Sequence, residues 1–330
     1  MNSRVLAASV LLLICFGLVS CGAPGGSPPP GRVYRVGIAP WILDDHHKKI
    51  VNAFISSLEN SGFNSKSNLD VKIQDASGSA RAEDEILREF VRWKADLIFA
   101  LTADGALSAK SISGDIPVVF ADVAYPMELG LVERLEFSSN QTVGIRCYVP
   151  LEEQLAFLMR MVPGEVRRLG VCLRAGDPDA RLFLDEMREL AIKQGTEVMR
   201  IEVSDAASLS RVLSDAGASV DAFYLSCDDL MQGAGARLVV DAASRRGVPV
   251  LSCGMAAVEK GALGGVVVDE ELAGQMAAAH AAQILGGRSP TSLLTLTVSP
   301  PSLVVNQRAA RALGIRIPPS FMGEDVHVIE

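Results

Sequence analysis

From Val33 onward, short runs of β-branched and other apolar residues alternate with longer segments in which apolar residues recur every three or four positions. "YRVGIA", "DVKIQDA" and "DLIFALT" have the length and composition of buried strands, whereas "HHKKIVNAFISSLENSG" and "RAEDEILREFVRWKA" carry the helical period. In the first of these helices Ile50, Phe54 and Leu58 share one face, and Gly62 stands where a helix commonly ends. The order is β-α-β-α-β, which predicts a parallel sheet with helices on both faces and right-handed crossovers. "IPVVFADV" and "QTVGIRCYV" add two apolar runs, and at Leu151 the pattern restarts with the helix "LEEQLAFLMRMV". The strands "RLGVCLRA", "TEVMRIEV", "VDAFYLS" and "VPVLSC" then alternate with three further helical segments. Another strand and helix follow in "GALGGVVVDEELAGQMAAAHAAQILGG", with Asp269 placed as a helix N-cap, and "SLVVNQRAARALGIRIP" closes the series. The pattern predicts an α/β protein of two lobes, each built on a doubly wound parallel sheet.

The N-terminus follows a different rule. The charge-free run from Val5 to Val19 spans about fifteen residues, where a membrane-spanning helix needs roughly 20. Arg4 before it and small residues at its end fit a secretory signal over residues 1–20. "LVSC" ends that segment at Cys21 and resembles the lipobox of bacterial lipoproteins, whose cysteine becomes the first mature residue and carries acyl chains such as palmitate. "GAPGGSPPPGR" cannot bury enough apolar surface to fold, so residues 21–32 read as an extended tether. The expectation is an exported protein, lipid-anchored to the cell envelope on the periplasmic or outer face of a bacterial membrane.

A formal net charge of −8 removes the electrostatic footprint that nucleic-acid binding needs. Of six cysteines, Cys15 lies in the signal and Cys21 is the acyl acceptor, which leaves Cys147, Cys172, Cys227 and Cys253. None is spaced C-x-x-C, so neither a redox nor a zinc motif is indicated. Cys227 and Cys253 end successive strands of the second sheet, near the 4.4–6.8 Å between Cα atoms that a disulfide spans. An exported location permits the bond, but loop direction after a strand leaves it open.

In open parallel sheets ligands sit beyond the carboxyl ends of the strands. Those ends are Pro40 and Trp41, Thr102 to Gly105, and Ala124 to Pro126 in the first half, and Arg174 to Asp177, Cys227 to Asp229, and Cys253 to Met255 in the second. Enzymatic machinery is not found there: G-x-S-x-G and the phosphate loop are absent, and the one G-x-G, Gly233 to Gly235, falls inside a helical segment. Asp228 and Asp229 are neighbouring carboxylates without a nucleophile, which suits ligand contact better than catalysis. His46 and His47 follow Asp44 and Asp45, but adjacent helical side chains project about 100° apart, so no metal site and no cofactor is expected. Trp41 is placed either as a ligand-facing wall or as packing between loop and helix, and Tyr125 and Met255 divide the same way. The candidate binding set is Trp41, Thr102, Asp104, Tyr125, Asp228, Asp229, Met255 and Asp269.

The stretches "DLIFALTADGALSAK", "IPVVFADVAYPMELGLV", "VDAFYLSCDDLM", "VPVLSCGMAAVEKGALGG", "DEELAGQMAAAHAAQILGG" and "SLVVNQRAARALGIRIPPSFMGEDVHVIE" carry a family resemblance. The chain resembles the lipoprotein substrate-binding components of ABC transporters, in the branch of type I periplasmic binding proteins that includes tryptophan- and tyrosine-binding members. The resemblance runs from about Val33 to Glu330 and is most specific in the last stretch. It implies two lobes closing on a small ligand, lobe 1 from 33–147 plus 254–285 and lobe 2 from 148–253 plus 286–330. It also implies a monomer that partners the transmembrane subunits of an ABC permease and has no chemistry of its own. The alternative is the ligand-binding part of a membrane sensor; an exported enzyme is a third reading. Several positions depart from the family pattern. Asp104 replaces a serine in the usual Thr-Pro-Ser turn, Cys227-Asp228-Asp229 replaces Thr-Asp-Asn, Tyr125-Pro126 replaces Asp-Pro, Gly254 stands for an acidic residue, and Ala257 for a serine. Like charges in a desolvated site repel strongly, so Asp104, Asp228 and Asp229 point to a ligand with a cationic or multiply donating face.

Overall fold

A computed structural model describes residues 31–216, 219–323 and 326–330, and the strands and helices read from the hydrophobic alternation recur in it alongside shorter ones that were not. The expected signal segment, Cys21 and most of the tether lie outside the described residues. The first half runs β1 (Tyr34–Ala39), α1 (Asp45–Asn60), β2 (Leu69–Ile73), α2 (Ala80–Arg92), β3 (Leu97–Leu101), α3 (Thr102–Ile112), β4 (Val118–Val123) and β5 (Thr142–Arg146). The second half runs α4 (Leu151–Met161), β6 (Arg168–Arg174), α5 (Pro178–Ile192), β7 (Glu197–Val203), α6 (Ala206–Ala216), β8 (Ala222–Leu225), α7 (Asp229–Gln232), α8 (Ala234–Ser244), β9 (Val250–Ser252), α9 (Met255–Glu259) and β10 (Gly264–Val267). The chain ends with α10 (Glu270–Leu285), β11 (Leu296–Thr297), β12 (Ser302–Asn306), α11 (Gln307–Ala312) and β13 (Val326–Ile329).

These strands form two sheets, ordered β2-β1-β3-β4-β5-β11 and β7-β6-β8-β9-β10-β12-β13. All described pairings are parallel except β10 with β12. Each sheet is covered on both faces, as the unbroken apolar strands require. In β3, Leu97, Phe99 and Leu101 pack toward α1 and α10, while Ile98 and Ala100 pack toward α2 and α3. Lobe 2 repeats the scheme, with Leu169, Val171 and Leu173 of β6 facing α4 and α5, and Cys172 facing α6 and α8. Among the described residues no helix is long and apolar enough to cross a membrane.

The expected division of the chain at 254 and 286 differs from the sheets. β10 pairs with β9 and β12 in the second sheet, and β11 pairs with β5 in the first. The chain therefore crosses to lobe 1 with α10 and returns after β11. The physical reason is that β10 continues the order begun at β6, and neighbouring strands tend to pair. α10 docks on α1 through Ala273, Ala277, Ala278 and Ala281. At Gly274 a side chain's first carbon would lie 2.3 Å from the Ile50 carbonyl oxygen, so only glycine permits this approach. The docking sets Glu270, at the start of α10, against the first turn of α1.

Candidate functional site

In each sheet the strand order reverses beside its first strand, between β1 and β3 and between β6 and β8. Loops diverge at such points and leave a crevice at the strand ends. The crevices of the two lobes face each other and form one cleft.

On the lobe 2 side the cleft is organised by Arg174, the last residue of β6. Its Nη2 lies 2.5 Å from Asp104 Oδ2 and 2.7 Å from Asp177 Oδ2, its Nε lies 2.7 Å from Asp229 Oδ1, and its guanidinium sits 5.0 Å above the Trp41 ring. Burial works against its charge, but Asp177, Asp229 and Asp104 outweigh that and hold the guanidinium firmly protonated. Asp177 and Asp228 are also helix N-caps, accepting from the Ala180 and Met231 N–H groups at 2.8 Å each. Asp228 further accepts the Arg174 N–H at 2.8 Å and the Ser226 hydroxyl. Burial pushes the Asp177, Asp228 and Asp229 carboxyls upward, opposed at Asp177 and Asp229 by Arg174 and at Asp228 by its hydrogen bonds.

Arg174 corrects the expectation that Asp104, Asp228 and Asp229 meet without a cation. Asp104 and Asp229 share the protein's own guanidinium, and Asp228 is engaged by its helix and by backbone. Arg174 also bridges the lobes, as does Asp179, which accepts the N–H groups of Ala124 at 2.7 Å and Tyr125 at 3.1 Å. Burial pushes the Asp179 carboxyl up to about 7, against those two hydrogen bonds. Beside it lies an apolar wall of Tyr125, Tyr148, Leu151 and Phe183. Both tyrosine hydroxyls donate to Glu186 at 2.6 Å, with the rings edge to face at 5.7 Å.

The lobe 1 side is built differently. Adjacent imidazoles were expected to diverge, yet His46 Nε2 and His47 Nε2 approach the same Asp122 oxygen, at 3.0 and 3.4 Å. Their Nδ1 atoms are held by separate carboxylates, His46 by Glu270 and His47 by Asp44, at 2.8 and 2.9 Å. The two χ torsions of each ring, fixed by these anchors, overcome the angular offset of neighbouring helical positions. Burial alone would lower both imidazoles. Asp122 and Glu270 more than offset this for His46, and Asp122 and Asp44 do so for His47, so both are raised. Asp122 is correspondingly driven well below the usual carboxylate range, although burial opposes this. Asp122 reaches this position because β4 loses register with β5 between Phe120 and Val123, and its backbone turns into the left-handed region at φ 59°. Thr102, at the mouth of β3, has φ 69°, an outlier for a β-branched residue. Such strain concentrates where surrounding structure enforces it for a purpose.

Of the candidate residues, Thr102, Tyr125, Asp228 and Asp229 line the cleft. Asp104 and Trp41 join it through Arg174. Met255 and Asp269 are not among these lining residues: they border an adjoining groove with Lys49, Glu270 and His327. Asp269 is exposed and caps α10, accepting the Leu272 N–H at 2.9 Å. A strand-end rule counts residues along the chain and cannot see that Met255 packs against the lobe 2 core while Asp269 caps α10 at the surface. Cys227 and Cys253 are disulfide-bonded, with Cα atoms 5.7 Å apart, and border the cleft with Cys147. The reading from sequence missed Asp122, Asp179 and Phe183, and it listed Asp177 at a strand end without carrying it into the binding set. Asp122 had a signal, a lone carboxylate inside the apolar run "VVFADV".

Residues 35–329 match the family model described as ABC transporter substrate binding protein. A tyrosine-binding protein of Clostridioides difficile (strain R20291) is 24% identical over 282 residues, covering 86% of this chain and 81% of that one. Among solved structures, an ABC domain from Streptococcus pneumonia in complex with L-Trp is similar at TM-score 0.85 and 22% identity, covering 90% of this chain and 100% of that one. A ligand-free, open substrate-binding protein with adhesive properties from Clostridium difficile is similar at TM-score 0.69 and 25% identity, covering 90% and 99%. The fold is that of type I periplasmic binding proteins.

Proposed function

Because the chain belongs to the family of ABC transporter substrate-binding proteins, we propose that it captures a small donor-rich solute between its lobes and hands it to a membrane permease. In this reading the protein works outside the cytoplasm, held to a membrane by lipid on Cys21, as a monomer without catalytic activity. The observation that carries the ligand class is the make-up of the cleft. One wall is apolar and aromatic, formed by Tyr125, Tyr148 and Phe183, while the carboxylates of Asp122 and Asp179 border the same space. Arg174 is already engaged by three carboxylates, so it has little left to offer a ligand's own carboxylate. A compact apolar body with an ammonium or several N–H groups meets both surfaces, and each charge-assisted hydrogen bond contributes roughly 1.5–3 kcal/mol.

Native mass spectrometry of the detergent-solubilised full chain tests this by catching a co-purified solute. A bound small molecule with a basic or multiply donating group is the expected result. Tight binding of plain tryptophan or tyrosine, the ligands named for its relatives, in preference to amines would overturn the ligand class while leaving the binding role intact.

A further inference from the structure

His46, His47 and Asp122 present three donor atoms to one point at the floor of the cleft, all within 4.8 Å of one another. Zinc-like ions bind imidazole nitrogen and carboxylate oxygen at about 2.0–2.2 Å, which puts neighbouring ligand atoms of a tetrahedral site roughly 3.3 Å apart. The two separations from Asp122, 3.0 and 3.4 Å, already match. Each imidazole gives its Nδ1 side to a carboxylate, His46 to Glu270 and His47 to Asp44, the outer arrangement that fixes ring orientation in metal sites. A second observation concerns hydrogen bonding. The His47 side chain is 0% exposed, yet its Nε2 faces Asp122 without making a hydrogen bond. A buried polar atom left in that state costs free energy unless something else engages it.

We propose that His46 Nε2, His47 Nε2 and the Asp122 carboxylate bind a divalent transition-metal ion of the zinc or cobalt type, with its fourth position open to the cleft. Asp122, whose backbone lies in the left-handed region at φ 59°, presents its carboxylate to the two rings. His46 and Asp122 border the inner part of the cleft, and Asp122 also borders the part with the aromatic wall, so the open position faces the space assigned to the solute. A solute with a chelating amine or carboxylate can therefore complete the coordination shell. That last step rests on the cleft being the solute site; the metal site itself does not.

The test is titration of the full chain, prepared without a histidine tag, with Zn²⁺ followed by calorimetry and with Co²⁺ followed by visible absorption. The expected result is one ion per chain and the intense visible bands of four-coordinate cobalt. His47→Gln should weaken binding at least 100-fold, and Glu270→Gln, which leaves all three ligands in place, about 10–100-fold. Circular dichroism confirms that each variant is folded; if His47→Gln does not fold, Glu270→Gln and Asp122→Asn carry the test. Absence of stoichiometric binding, or binding unchanged in the folded variants, overturns the site. A solute found by mass spectrometry in protein that binds no metal would leave the solute-binding reading standing and remove only the metal.

Discussion

The two walls of the cleft are both rich in carboxylates but use them in opposite ways. In lobe 2, Asp177 and Asp229 converge on Arg174, and Asp177 and Asp228 close the N-termini of α5 and α7. These charges are consumed by the protein itself. In lobe 1, Asp44 and Glu270 hold two imidazoles from behind, and the imidazoles and Asp122 turn toward a common point. A carboxylate at a strand end is thus a poor guide to ligand charge until its partners are known. What a wall offers a ligand is the residue left after internal pairing.

The comparison breaks most sharply at Arg174. Removing a partner from a buried ion network leaves the other charges uncompensated and costs about 3–5 kcal/mol. Arg174→Ala, which strands Asp177 and Asp229 and cuts the link to Asp104, is expected to destabilise the protein by that amount in urea unfolding. Lysine, a point charge without the planar fork, should restore only part of it. A loss below about 1 kcal/mol would place Arg174 with solvated surface pairs and erase the contrast between the walls.

Glu83 sharpens the same contrast from behind lobe 1. Its side chain is buried in α2, 1% exposed, and neither carboxyl oxygen has a hydrogen-bond partner among the described residues. Burial, then Asp104 and Asp84, push it up to about 8, against the pull of Arg174. A carboxyl raised on folding binds its proton more tightly in the native state, so its contribution to stability is full below about pH 4.5 and is lost as pH rises through about 8. At about 1.4 kcal/mol per pH unit this amounts to a few kcal/mol over that window. Glu83→Gln should flatten the fall in melting temperature between those limits and raise it at pH 8. An unchanged pH profile would mean that the carboxyl finds water or a partner.

The smallest effect belongs to Asp269, which lies outside both walls. Asp269→Ala removes an N-cap and is expected to cost about 1 kcal/mol in thermal unfolding. Solute affinity should be unchanged. A tenfold loss of affinity would place Asp269 in contact with the solute.

The order of elements and both layers of helices were legible because burial on two faces leaves long apolar runs, and helical faces repeat at a fixed spacing. The strand-end rule found Thr102, Tyr125, Asp228 and Asp229 for the same reason: a parallel sheet sends all its carboxyl ends to one edge. Met255 and Asp269 fall in an adjoining groove because the rule stops at the strand and the following helix sets the direction. It took His46 and His47 to diverge because it used helical angles alone, whereas the anchoring carboxylates come from the N-cap at Asp44 and from Glu270, more than two hundred residues away. The assignment of β10 to lobe 2 and β11 to lobe 1 was equally hidden, since crossing between lobes is a matter of strand pairing and not of local pattern.

What the chain determines by itself is periodicity, and periodicity decides which segments are buried, where strands end and which helices have caps. Electrostatic partnership is decided only in three dimensions. Arg174 meets Asp104 across 70 positions of sequence and His46 meets Glu270 across 224. Charge interactions act at a few ångströms whatever the separation along the chain, so the sequence names the charged residues and the tertiary structure chooses their partners.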